Sequence, residues 1–417
     1  MTSKKLFNKY MVLFGILAPA PIISFFSTTA YVYFLIITIL IVLIYSTRGK
    51  FNYNKNFDKS YVIYSVCVMF SSIICLIRMP KEWTFDVITL SIQFVCVFLI
   101  YLWFNKSKNL DAVRSFIRGV YLSSIIQMIW GYCQLILWKL GVDLNTLIFN
   151  KMLHMYTANA THTTVSGSIK ISGFCWNAGN FAPLMIIGYI LAENPIIKIA
   201  FIIISLLSGS RTLMLGMLIC VCLQVIYLLI LKGNLRFTRN RLYVLGIFCL
   251  MGIITCALNY SSIQSKIDEA LVALNFIKNY SAEGSTNTHI MYLLKTFDII
   301  KNNDVITNLF GYGPRCSGYA FVKHYDFYST IGKWCVECDY INILWNYGLL
   351  GFLSYYIWFF RNIIRNKVSY NKAIFFIVFL IMGFMYNITF NWVSLFLIFI
   401  FILNNNGIDI FSIKRSN

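Results

Sequence analysis

Arg211 lies in Ser208-Gly209-Ser210-Arg211-Thr212, a polar break between two strongly apolar runs. A second arginine, Arg315, follows Gly311-Tyr312-Gly313-Pro314, a turn-forming stretch that presents the side chain. Guanidinium groups are always charged and offer two parallel N–H donors, so both residues suit an anionic group whose charge must be held in place. Lys170 and His289 are weaker cationic candidates for the same work. Glu337, with Asp339 two residues later, supplies carboxylates that can take a proton from a hydroxyl. Both carboxylates also suit the positive end of a helix that starts after them. The chemistry these types permit is stabilisation of developing negative charge beside a general base.

The elements that must position these groups follow from composition. Of 417 residues, 59% are hydrophobic, 17% aromatic and only 12% charged. No soluble core could absorb such a chain, and the expected class is an all-α polytopic membrane protein. The formal net charge of +20 falls in short clusters between apolar segments, which is the pattern of orientation signals and gives nucleic acid no binding face. Residues 196–231 read as one helix would be roughly 54 Å long at about 1.5 Å per residue, against a hydrocarbon core of about 30 Å. The chain must therefore turn near Arg211, which puts this arginine at one membrane face, lining a cavity or capping a helix end.

Twelve spans are expected, near 10–27, 29–46, 60–77, 86–104, 114–138, 180–193, 196–208, 211–231, 242–258, 340–360, 372–386 and 390–404. No cleavable leader is expected, because Lys4, Lys5 and Lys9 precede a first span that runs directly into the second. Basic residues mark one side: Arg48, Lys50, Lys55 and Lys59; Lys106 and Lys108; Lys232, Arg236, Arg239 and Arg241; Arg361, Arg365, Lys367 and Lys372; Lys414 and Arg415. The positive-inside rule places that side, and both termini, in the cytoplasm. Segments 180–193 and 196–208 are short enough to be half-helices dipping in from the outer face.

Three regions result: helices one to nine over 1–258 with an outer loop at 139–179, a large outer loop over 259–339, and helices ten to twelve with a cytoplasmic tail over 340–417. In the large loop, Ile263, Ile267, Leu271, Leu274 and Ile277 recur at helical spacing, as do Ile290, Leu293, Leu294, Phe297 and Ile300. Two amphipathic helices are expected there, their apolar faces on the membrane surface or the bundle. Asn177, Asn180 and Arg211 would share one rim.

Four blocks carry a family resemblance: Lys170-Ile-Ser-Gly173-Phe-Cys-Trp-Asn177-Ala-Gly-Asn180-Phe-Ala182; Ser210-Arg211-Thr212; His289 through Lys301 to Gly311-Tyr-Gly313; and Glu337-Cys-Asp-Tyr340 running to Gly348-Leu-Leu-Gly351. In order and spacing they resemble the bacterial O-antigen polymerase (Wzy) and O-antigen ligase superfamily, over roughly 165–355. The resemblance implies a GT-C-like membrane glycosyltransferase with a large periplasmic loop before the tenth span. It would sit in the bacterial inner membrane, act at the periplasmic face, and need neither cofactor nor metal. Donor and acceptor would be oligosaccharide repeat units on undecaprenyl diphosphate, within membrane lipid and beside a chain-length regulator. Arg211, Arg315, Glu337 and Asp339 would then be catalytic, and Lys170, Asn177, Asn180, His289 and Tyr340 would bind substrate.

Departures from the family pattern are informative. Lys170 stands where arginine is common, Gly179 where proline is common, His289 where arginine is common, and Glu337 where the ligases carry histidine. These lean towards the polymerase branch. The rival readings are the ligase and a lipid-linked glycan flippase; a flippase would show internal repeats and charges within several spans, which this sequence does not. Glu337 and Asp339 are too few for an octahedral cation. Cys335-x-x-Cys338 lacks a second half-site for zinc, so a disulfide among Cys316, Cys335 and Cys338 is expected if that side is oxidising.

Overall fold

A computed structural model describes residues 3–19, 28–47, 59–84, 87–107, 110–153, 169–175, 178–227, 285–324, 336–365, 370–384 and 386. Its helices are α1 (Ser3–Leu17), α2 (Thr28–Thr47), α3 (Lys59–Arg78), the single turn α4 (Lys81–Thr84), α5 (Val87–Ser107) and α6 (Leu110–Lys139). They continue as α7 (Ala178–Leu191), α8 (Pro195–Leu207), α9 (Arg211–Ile226), α10 (Ser285–Asn302), α11 (Val305–Phe310), α12 (Ser317–His324), α13 (Asp339–Arg365) and α14 (Tyr370–Gly383). The described chain is all-helical, as the composition requires. The expected spans at 242–258 and 390–404, and the expected loop helix at 263–277, lie outside the described residues.

Among the described residues, four segments are by length and composition apolar enough to cross a membrane: Lys59–Arg78, Lys81–Ile100, Asp111–Lys139 and Asp339–Arg361. Shorter apolar helices cover Tyr31–Tyr45, Ala178–Leu191, Pro195–Leu207, Arg211–Ile226 and Tyr370–Gly383. α3 shows what solvent these helices are built for. Ile63, Val66, Phe70, Ile73 and Ile77 form one exposed stripe, while Tyr61, Tyr64, Ser65, Ser71, Ser72 and Cys75 are buried on the other face. In water each exposed aliphatic side chain forgoes about 1.5–3 kcal/mol of burial. A helix that turns serines inward and isoleucines outward belongs in lipid.

Small residues set the closest crossing. A Cβ on Gly15 would lie 2.1 Å from the Phe116 carbonyl oxygen, and one on Gly119 would lie 2.1 Å from that of Val12. Backbone therefore meets backbone, the packing that lipid-embedded helices favour. Lys4 Nζ reaches Asp111 Oδ2 at 2.6 Å, about three turns before Gly15 on α1 and two before Gly119 on α6, so α1 and α6 run parallel. α9 and α14 run antiparallel: Tyr227 stacks on Tyr370 at one end, and Gly216 packs against Met382 nearer the other. α3 and α13 are antiparallel as well, with Tyr61 against Trp358 and Tyr64 against Tyr355.

α7 is buried at every position. It spans about 21 Å at about 1.5 Å per residue and α8 about 20 Å, both short of a full crossing. The first helix begins seven residues earlier than its apolar run, so Lys4, Lys5 and Lys9 belong to α1 itself.

Candidate functional site

The reversal expected near Arg211 is present. α8 ends at Leu207 and α9 begins at Arg211, with Gly209 at φ 68° making the turn. Three serines meet the backbone groups that two helix ends leave unpaired. The Ser208 hydroxyl donates to the Ser205 carbonyl at 2.8 Å and accepts from the Ser210 amide at 3.2 Å. Ser210 Oγ in turn accepts from the Leu213 amide at 3.4 Å and caps α9.

The first block folds against this turn. The Ile171 amide donates to the Ser208 carbonyl at 2.8 Å, which fixes half-buried Lys170 beside the reversal that carries exposed Arg211. Amide side chains hold the segment from behind. Gln134 Oε1 accepts from the Gly173 amide at 2.8 Å, and Gln127 Oε1 from the Phe174 amide at 2.6 Å. Asn145 Nδ2 donates to the Gly173 carbonyl at 3.1 Å, while Asn145 Oδ1 accepts from Trp130 Nε1 at 2.8 Å. Gly173 sits at φ 61°, and a Cβ there would lie 2.2 Å from Gln127 Oε1, so glycine is required.

A second cluster gathers the third and fourth blocks. α13 breaks at Gly348, whose φ of 67° is not helical. The carbonyls freed by the break are taken up by the turn that follows α11: the Tyr312 amide donates to Trp345 O at 2.7 Å and the Gly313 amide to Asn346 O at 2.9 Å. Ser71 of α3 also donates its hydroxyl to Asn346 O. Arg315 is exposed at φ 63°, the sole non-glycine at positive φ among the described residues. Ser317 Oγ donates to Asn342 Oδ1 at 2.6 Å and accepts from the Val336 amide at 2.9 Å, so Arg315 and Glu337 flank one hydrogen-bonded centre.

The cluster is tied to α3 by Asp304. Its carboxylate caps α11 through the Thr307 amide at 3.0 Å and receives a fork from Arg78, Nη1 to Oδ1 at 3.1 Å and Nη2 to Oδ2 at 3.3 Å. The Arg78 guanidinium, helped by Thr307, holds the Asp304 carboxyl well below the usual carboxylate range. His324 Nε2 lies 3.1 Å from Asn303 Oδ1, and burial lowers its pKa, so the ring is neutral near pH 7. Burial pushes the Cys338 thiol up to about 11, which keeps it protonated and unreactive.

The last turn of α14 joins the two clusters. Gly179 at the start of α7 packs against the Tyr386 ring, Gly216 of α9 against Met382, and Gly383 against Asp339, whose Oδ2 would be 3.5 Å from a Cβ there. The first residues of α7 and α13 and the second turn of α9 are therefore brought together around the end of α14. Asp339, 4% exposed, and half-buried Tyr340 line a narrow cleft of about 10 Å³ with Tyr355, Tyr356, Phe359, Phe379, Leu380 and Gly383. Tyr340 stacks on Tyr356 with ring centroids 5.4 Å apart, and its hydroxyl is committed to the Leu380 carbonyl at 2.7 Å.

Lys170 and Arg211 thus share one rim; Arg315, Glu337, Asp339 and Tyr340 share the second cluster. Asn180 is buried in the first turn of α7. Asn177 lies outside the described residues, and His289 occupies the fifth position of α10. The expected disulfide partners differ: Cys316 and Cys338 are not joined to each other, Cys335 is outside the described residues, and the sulfur 3.6 Å from Cys316 belongs to Cys75. Gln127 and Gln134, seven apart on one face of α6, were readable as polar residues inside an apolar span. Asp304 and Arg78 were not, being 226 positions apart. No protein-family model and no curated protein matches this chain.

Proposed function

We propose that this protein is an oligosaccharide repeat-unit polymerase of the O-antigen type, a membrane glycosyltransferase. It moves a growing glycan from undecaprenyl diphosphate onto the non-reducing end of another lipid-linked repeat unit. The observation that carries the reading is the meeting of the first residues of α7 and α13 and the second turn of α9 around the end of α14, with Lys170 and Arg211 on one side and Asp339 on the other. Helix N-termini carry partial positive charge, so they and the cations favour an anion at this end.

In the reaction the acceptor hydroxyl oxygen forms a bond to the anomeric carbon, the bond from that carbon to the diphosphate oxygen breaks, and the hydroxyl proton passes to a carboxylate. Arg211 and Arg315, supported by Lys170, hold the diphosphate as its charge rises. Glu337 is the base, with Asp339 as its alternate; Asp339 is the buried one of the two and lies beside Tyr340. Asn180 and Tyr340 belong to the binding surface. The twelve-span topology has both termini in the cytoplasm of a bacterium and this site at the periplasmic face of the inner membrane. Its support is that the opposite end of the bundle collects Lys4, Lys59 and Arg361 beside the basic loops.

Glycan gels test the reading, using cells that lack the gene and are complemented with wild type, Arg211→Ala or Glu337→Gln at matched membrane levels. A polymerase leaves lipid A-core capped with a single repeat unit in the null and in both variants. Uncapped core with accumulated lipid-linked polymer would mean a ligase, and repeat units held on the cytoplasmic leaflet would mean a flippase.

A further inference from the structure

Cys75 lies near the end of α3 and Cys316 at the start of α12, 241 positions apart in sequence, yet their sulfurs are 3.6 Å from each other and both residues are fully buried. The neighbourhood is fixed on both sides. Gly313, at φ 115°, presses its backbone on Cys75, so that a Cβ there would lie 2.3 Å from Cys75 Cβ. Cys316 Sγ also contacts the Trp83 and Pro314 carbonyls at 3.5 Å. A disulfide needs sulfurs about 2.05 Å apart. The two sulfurs are already in van der Waals contact with no other side chain between them.

We propose that Cys75 and Cys316 form a disulfide that locks the polar cluster following α10 onto α3. The bond forms by thiol–disulfide exchange. One cysteine thiolate attacks the disulfide of a protein oxidant and releases one of its sulfurs as a thiol; the second cysteine then attacks the mixed disulfide and releases the other. The two protons and two electrons leave with the reduced oxidant. Contact with Cys75 and burial push the Cys316 thiol up, so exchange is slow once the cluster has packed. Closure therefore precedes the final docking of α12, and the finished bond is shielded from reductants. It complements the Arg78–Asp304 fork one turn further along α3, a second tie between the same two elements. The inference needs this end of the bundle to face an oxidising compartment and nothing of the glycan chemistry.

Membranes from cells producing the full chain are quenched in acid, alkylated in denaturant without reductant, digested and mapped by mass spectrometry. The expected result is a peptide pair joined through Cys75 and Cys316 that disappears on reduction. Cys75→Ser, Cys316→Ser and the double variant then melt alike, several degrees below the detergent-solubilised wild type. Alkylated Cys75 and Cys316 in the unreduced sample overturn the proposal, as does Cys316 joined to Cys335 or Cys338. A reporter enzyme active only outside the cytoplasm, inserted within 325–335, separates the two causes of failure. If it is active while the thiols are free, the pairing is wrong; if it is inactive, the orientation is wrong and the bond goes with it.

Discussion

The Arg211 rim and the Gly348 cluster each bring a cation to the same end of the bundle, but by opposite means. At the rim, side-chain amides from α6 and its following turn grip a non-helical segment whose Ile171 and Cys175 belong to the main core. In the cluster, backbone meets backbone: a broken helix offers its carbonyls to a glycine-rich turn, and a separate small core of Cys75, Trp83, Tyr292, Ile299, Phe321 and Trp345 stands behind it. Amides on long side chains tolerate small displacements of the segment they hold, whereas a positive-φ glycine seated on another backbone tolerates none. The rim is thus the adjustable half of the site, and the cluster the rigid half.

Gly348→Ala should break the rigid half. The positive φ costs about 1–2 kcal/mol for an L-residue, and a Cβ 2.2 Å from the Leu309 carbonyl carbon adds the cost of overpacking, together about 3 kcal/mol or more. The expected outcome is loss of a cooperative melt in detergent and a fall in membrane levels. Gly141→Ala is the control: its φ of 78° is equally unusual but nothing lies within 4 Å, so only the conformational penalty of about 1–2 kcal/mol applies. Equal melts for the two variants would remove the distinction between the clusters.

Gln134→Leu tests the adjustable half. It leaves the buried Gly173 amide without its acceptor, at about 1–3 kcal/mol. On the proposed function, polymer length and transfer rate should fall at least tenfold while the protein still reaches the membrane, because Lys170 loses its fixed place beside Arg211. Wild-type transfer by this variant would show that the rim does not depend on its amides.

The smallest effect belongs to Asp304→Asn. The pair it forms with Arg78 is roughly two-fifths exposed, so it contributes about 0.5–1 kcal/mol. Its carboxyl is depressed in the folded state, so this stability is fully present above the unfolded carboxylate value of about 3.9 and is lost as pH falls through the folded value. Melting temperatures of wild type and variant should differ by a constant amount from about pH 5 to pH 8 and converge below about pH 4. A difference that grows towards acid pH would contradict the fork.

Much of the helical layout was legible because apolar runs and breaker residues are local signals. The turn at Arg211, the α10 helix and the start of α13 all follow from spacing within a few residues. α10 also shows where periodicity stops short. Leu293, Leu294, Phe297 and Ile300 form its exposed face, with Phe297 68% exposed, while Tyr292, Thr296 and Ile299 face the bundle. The larger apolar stripe was expected on the membrane surface or the bundle, and it is the aromatic–hydroxyl side, passed over in the sequence, that docks. The break in α13 was also missed, since Gly348 reads as an ordinary glycine in a span until Leu309 is seen against it. The Asp304–Arg78 fork and the Cys75–Cys316 contact join positions more than two hundred residues apart, and nothing in local composition announces such partners.

The Asn346 carbonyl, which accepts from both Gly313 and Ser71, carries a consequence for how the protein is made. Ser71 and Asn346 are 275 positions apart, so at about 5–20 residues per second α3 waits on the order of tens of seconds after its own synthesis before that acceptor exists. During this interval a helix whose inward face carries serines and a cysteine stands in the bilayer without its partner. Until residue 346 has emerged, the Ser71 hydroxyl is left to acceptors of its own helix, as Ser65 and Ser72 use the carbonyls four residues back.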